Sequence, residues 1–218
     1  MSNKTKKSAK YDWLAYSQSF LLLAKVACQE LEDTREEKHK KITRFDPQNF
    51  KLFYNYEDLF ISIVYNIKHG IEIFLKTLRE ILNLNLKYGH DIKVLFEDFK
   101  DQLPKTIRPL KDKRGNEIKK EDVDNIPGQL EELENLVIYY YSCKFIGKEG
   151  KEVVTIYDKE NDVFRYPKNK PEIKINLESV DQKLISGLHE DIDKIYRIFN
   201  DLGYILDIYQ QNKELKDQ

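Results

Sequence analysis

Residues 57 to 86 run for thirty positions with no proline and a single glycine, Gly70. Phe60, Ile63, Val64, Ile67, Ile71, Phe74, Leu75, Leu78 and Leu82 recur at the three-and-four spacing of one helix face. Ile61, Ile73 and Ile81 lie off that stripe. A helix apolar over most of its circumference needs neighbours on several sides, so it sits at the centre of a bundle. The remaining chain has to supply those neighbours.

Three further stretches carry helical periodicity. Trp13, Tyr16, Phe20, Leu23, Ala24, Ala27 and Leu31 predict a helix from about residue 11 to 33, after a basic, polar leader, residues 1–10, expected to fray. A last helix is predicted over about 177–212, with Val180, Leu184, Leu188, Ile192, Ile195, Phe199, Leu202, Leu206 and Tyr209 on one stripe. Another spans about 128–144. Between these, Gly89 is a left-handed cap for the central helix. His90 or Asp91 caps a short helix that turns Ile92, Leu95, Phe96 and Phe99 inward and runs to about Gln102. Residues 103–126 hold two prolines, a turn at Arg114-Gly115-Asn116 and many charges, the marks of a surface insertion. Residues 145–176 read as a second, extended insertion, with "KEVVTIYD" and "DVFRYP" as arms of a short hairpin around Lys159-Glu160-Asn161. The expected fold is all-α: one domain over 11–213, a bundle of about five helices, with a long insertion and a short β-hairpin before the last helix. Short connections favour antiparallel neighbours.

A net charge of −1 over 218 residues leaves no global field to attract a polyanion, so any nucleic-acid contact has to be local. Cys28 and Cys143 each sit in an apolar run and read as small buried hydrophobes, not as a disulfide framework. No secretory signal follows the start and no apolar run is long enough to span a bilayer. A cytoplasmic protein with no membrane partner is the expectation.

Three sets of side chains are candidates for chemistry. His69, Glu72 and Lys76 fall on one face of the central helix. His69 oriented by Glu72 has the form of a general base. The other reading is a structural polar stripe in which Glu72 and Lys76 pair. Adding His90 and Asp91 would give a set of metal donors, but a continuous helix holds His69 and His90 about 30 Å apart. No metal and no cofactor is expected. In the second set, Arg165 of "FRYP" either grips a phosphate or pairs with an internal acid such as Glu72 and pins the insertion to the bundle. The third set is a basic loop. Lys105 to Lys120 carries seven basic and two acidic groups, among them Lys105, Arg108, Lys111, Lys113 and Arg114. Such a cluster contacts phosphates without sequence preference. Otherwise it is a solvated surface that the six acids of Glu121 to Glu134 neutralise. Tyr139, Tyr140 and Tyr141 point three ways at helical spacing, so at least one belongs to the core. There is no phosphate-cradling glycine loop, dinucleotide fingerprint, CxxC pair or HExxH.

His69, Glu72, Leu75, Lys76 and Leu78, followed by Gly89, His90, Asp91, Ile92 and Leu95, resemble the HEPN superfamily, helical domains named for higher eukaryotes and prokaryotes nucleotide-binding. Members often carry "H-x-x-E-x-x-L-K-x-L" and then "G-H-D-(I/L)-x-x-L". "FRYP" ahead of a long final helix is similar to some prokaryotic members. The resemblance implies a helical bundle, commonly dimeric, used in defence, toxin–antitoxin and RNA-processing systems. Many members are metal-independent RNases in which four to six residues separate an Arg from a following His near the start of a late helix. Here Arg35 and His39 have only three residues between them, and the matching position before His189 is Lys183. Lys lacks the planar fork with which Arg grips phosphate. The resemblance therefore implies a noncatalytic or degenerate binding protein, a homodimer with RNA or a nucleotide as ligand. Its alternatives are an endoribonuclease using Lys183 and His189, and a partner subunit of a nucleotidyltransferase-type toxin.

Overall fold

The computed structural model describes residues 4–33, 56–84, 89–106, 120–155, 176 and 179–216. It is a helical bundle. α1 (Lys4–Asp33), α2 (Tyr56–Ile81), α3 (Ile92–Thr106), α5 (Ile126–Ser142) and α6 (Gln182–Lys216) are its long helices, and α4 (Lys120–Asp124) is a single turn. α2 is the centre and touches α1, α3, α5 and α6. Every member of its predicted stripe is buried, and so are Ile73 and Ile81 from the sides. Among the described residues no helix is long and apolar enough to cross a membrane.

α2 stops at Ile81, earlier than its periodicity predicts, and Asn83 ends it instead of Gly89. Asn83 takes a left-handed φ of 53°. Its N–H reaches Glu80 O at 3.1 Å and the Leu84 N–H reaches Arg79 O at 2.9 Å. These two bonds form a Schellman motif, for which Asn is the usual substitute for Gly. The Asp91 carboxylate then caps α3, accepting from the backbone N–H groups of Lys93 and Val94, each at 3.0 Å. Two free donors of the first turn are thereby satisfied. α3 continues through Pro104 to Thr106, past its predicted end.

α6 is one unbroken helix capped by Asp181, whose carboxylate accepts from the Leu184 N–H at 2.8 Å. Its stripe is buried from Val180 to Leu206, and Phe199 stacks on Phe74 of α2 with ring centroids 3.6 Å apart. Gly70 lets α1 and α2 approach closely: a Cβ there would lie 3.2 Å from Ser17 O.

The hairpin differs from the predicted one. β1 (Lys144–Ile146) pairs antiparallel with β2 (Glu152–Thr155), with Phe145 opposite Val154. The segment "KEVVTIYD" therefore supplies a strand, but its partner lies before it in the chain. The turn between them holds two left-handed residues, Glu149 (φ 59°) and Gly150 (φ 72°). Gly147 is required for docking, because a Cβ there would fall 1.8 Å from Ser179 O, just ahead of α6. "DVFRYP" lies outside the described residues.

α1 begins at Lys4 and buries a stripe rotated from the predicted one: Ser17, Leu21, Ala24, Cys28 and Leu31. Trp13, Tyr16 and Leu23, predicted inward, are exposed, together with Leu22 and Val26. Helical spacing alone does not choose a core face when two sides of a helix are apolar.

Candidate functional site

Glu72 is the hub of the polar stripe. Its side chain is 3% exposed and stands on α2, the most enclosed helix. A carboxylate in that position needs donors. Lys76, one turn on, donates to Oε1 at 2.8 Å. His90 Nδ1 lies 2.7 Å from the same oxygen, and His69 Nδ1 lies 3.4 Å from Oε2. An ionised carboxylate only accepts, so both imidazoles carry a hydrogen on Nδ1. Burial pushes the Glu72 carboxyl up. The hydrogen bonds from His69, Lys76 and His90, with the Lys76 charge, outweigh it and hold the group at about 2.

His69 and His90 are thus brought onto one carboxylate, although a continuous helix would separate them. The left-handed turn at Asn83 ends α2 short of His90, so the separation along a single helix does not apply. His90 clasps α2 and takes no part in capping α3, a task that falls to Asp91. Arg79 reinforces the clasp from the next turn: it is buried and its Nη1 lies 3.2 Å from Asp98 Oδ2 of α3. No group of three His, Cys, Asp or Glu side chains suited to a metal ion is present among the described residues. At Glu72 a lysine ammonium already occupies the oxygen that a cation would take.

His69 is also part of a ring ladder. It stacks on Tyr65 at 5.3 Å, and Phe20 of α1 meets it edge to face at 4.5 Å. The ladder continues along α1 from Phe20 to Tyr16 at 5.0 Å and to Trp13 at 5.6 Å. It runs from the buried carboxylate to the surface.

Lys183 and His189 do not face one another. Six residues of helix turn them about 120° apart around the axis of α6. Lys183 is exposed, whereas His189 is half-buried, with Nε2 3.9 Å from Glu32 Oε2, beyond hydrogen-bond reach. The Glu32 carboxylate accepts instead from Gln182.

A second polar cluster, which sequence reasoning did not single out, joins α1, α5 and α6. Tyr140 is fully buried and donates to Asp191 Oδ2 at 3.1 Å. Burial raises the Asp191 carboxyl, against the Tyr140 hydrogen bond and the Lys194 charge. Burial likewise pushes the Tyr139 phenol up to about 12, and burial together with Glu32 pushes the Cys28 thiol to about 12. A phenol and a thiol held that high do not exchange protons near neutral pH. The only sequence signal for the cluster was the run of tyrosines.

Arg165, Arg108, Lys111, Lys113 and Arg114 lie outside the described residues; Lys105 stands in the last turn of α3, and its side chain is not described. No protein-family model, no curated protein and no solved structure matches the chain.

Proposed function

We propose that the protein is a noncatalytic, HEPN-like binding module that works as a homodimer. The observation that carries this reading is the outer face of α1. Leu22, Leu23 and Val26 are 61%, 56% and 61% exposed, and Tyr196 of α6 is exposed beside them. A row of aliphatic side chains in water is the usual mark of an interaction surface. Between α1 and α6 runs a groove of about 360 Å³, lined by Ala15, Ser19, Leu22, Lys25, Ile192 and Tyr196. A second copy is the occupant: a twofold axis brings the same aliphatic row of one protomer to the groove of the other. Leu22, Leu23, Val26 and Tyr196 offer on the order of 100 Å² each, about half of the ~800 Å² per partner of a stable interface. Polar side chains of the surrounding rim supply the rest.

The noncatalytic half of the reading is supported by how the candidate groups are held. Glu72 is paired and kept ionised, and Lys183 and His189 face different ways. The HEPN resemblance brings RNA or a nucleotide as ligand, and a nucleotidyltransferase-type toxin as partner, into the proposal. Light scattering on the purified chain tests the first half. The wild type is expected as a dimer, and Leu22→Glu with Val26→Glu as a folded monomer. A wild-type monomer at tens of micromolar contradicts it. An RNase assay tests the other half: cleavage by the wild type that His189→Ala abolishes establishes the endoribonuclease alternative.

A further inference from the structure

The start of α5 and the later part of α6 enclose a cavity apart from the polar hub. Asn125 and Gln129 stand one turn apart at the head of α5, and Asp201, Tyr204 and Ile205 share one face of α6. Between them lies a space of about 240 Å³. It falls below the range of drug-sized sites and suits a short, slender molecule. Ile205 is buried and supplies an apolar wall. The other four side chains bring a carboxylate, a phenol ring and two amides to one place. Gln129 Nε2 donates to Asp201 Oδ2 at 2.6 Å, which fixes the amide with its oxygen turned away from the carboxylate. That oxygen is shielded from water and accepts from nothing among the described residues. The bond to Asp201 is therefore what sets the pose of Gln129. It leaves Asp201 Oδ1 as an unused acceptor among the described residues, beside a Tyr204 ring that is 57% exposed. Asn125 holds the N-cap position of α5 but makes no side-chain cap, so its amide is open to a ligand as well.

We infer that this cavity binds a short aliphatic polyamine, with one primary ammonium between Asp201 and the Tyr204 ring and the methylene stem on Ile205. A carboxylate beside an open aromatic face recognises a cation. Only one oxygen of Asp201 is open, which denies a guanidinium its two-pronged grip, whereas an ammonium is a point charge that needs one. Its remaining N–H groups find the Asn125 amide oxygen. The surroundings favour positive charge: residues 121 to 143 hold six acids and no base. Arg197, one turn before Asp201, is already engaged, its Nη2 lying 3.0 Å from Glu132 Oε2. Asp124, the residue before Asn125, is exposed and offers a second carboxylate to a second ammonium. The start of a helix ordinarily favours an anion. Here the Asn125 N–H is bonded to Glu121 O and the Gln129 N–H to Asn125 O, Pro127 has no N–H to give, and the Asp201 charge repels an anion. The cavity shares no residue with the groove between α1 and α6, so the inference does not rest on the dimer.

The test is an NMR titration of the nitrogen-15-labelled chain with spermidine, beside magnesium chloride, inorganic phosphate and Nα-acetyl-lysine amide. The side-chain amide signals of Asn125 and Gln129 are expected to shift with spermidine and to saturate, with an affinity that falls as salt is added. Asp201→Asn keeps an acceptor for Gln129 and weakens binding about tenfold or more. Tyr204→Ala weakens it about threefold, whereas Tyr204→Phe retains it. Glu190→Gln removes an exposed acid of α6 about 16 Å along the helix and leaves binding unchanged. Circular dichroism melts confirm that each variant folds. If Asp201→Asn binds spermidine as the wild type does, or Glu190→Gln weakens it equally, spermidine only screens an acidic surface and the inference falls. It falls too if magnesium reproduces the same shifts, or if phosphate saturates the two amide signals and spermidine does not. An affinity for Nα-acetyl-lysine amide equal to that for spermidine assigns the ammonium to a lysine side chain and overturns the polyamine.

Discussion

Glu72 shows how a single carboxylate organises three helices. It stands on α2, takes Lys76 from its own helix and His90 from the segment leading into α3, and reaches α1 through His69 and Phe20. The Glu72 carboxyl falls from an ordinary 4.5 to about 2 in the folded chain. A depressed carboxyl binds protons more weakly when folded than when unfolded. Its contribution is therefore complete above pH 4.5 and disappears as pH falls towards 2, a difference of about 3 kcal/mol. Glu72→Gln should cost about that much at neutral pH and should flatten the acid limb of a plot of stability against pH between those values; urea titrations at several pH values check both. Asp191 carries the opposite sign. Its carboxyl is raised by burial, so ionising it at neutral pH works against folding. Asp191→Asn keeps an acceptor for Tyr140 and should raise the melting temperature at pH 7, with the gain vanishing in acid where Asp191 is protonated.

At the scale of elements, the ends of helices decide which side chains meet. The Schellman turn at Asn83 ends α2, the Asp91 cap starts α3, and His90, just ahead of that cap, meets Glu72. Asp91→Ala removes acceptors from two backbone donors and should cost about 1 kcal/mol, read as a lower melting temperature with an unchanged helical spectrum. Much of this level was legible in the sequence. The stripes of α2 and α6 are long and narrow enough that periodicity alone places them, and the aspartate before Ile92 reads directly as a cap. The hairpin was not legible, because Lys144-Phe145-Ile146 continues a helical pattern and only the left-handed residues Cys143, Glu149 and Gly150 break it. Nor was the inward face of α1, since Trp13, Tyr16 and Leu23 are as apolar as Leu21 and Cys28. The candidate site was half legible: spacing put His69, Glu72 and Lys76 together, but His90 joins them only because α2 stops at Asn83, an end that an asparagine signals weakly.

For the molecule as a whole, the exposed aliphatic row of α1 is the surface on which the proposed dimer rests. The polar hub beneath it ties α1, α2 and α3 together, so that surface depends on a clamp that is itself buried. That clamp is the central claim, and a carbon-13 NMR titration of the Glu72 carboxyl tests it most directly. A midpoint near 2 is the expected result, because three donors hold the charge. A midpoint at or above 4.5 would contradict the account, since a carboxyl so placed would be free to give up and take back a proton as an acid catalyst does.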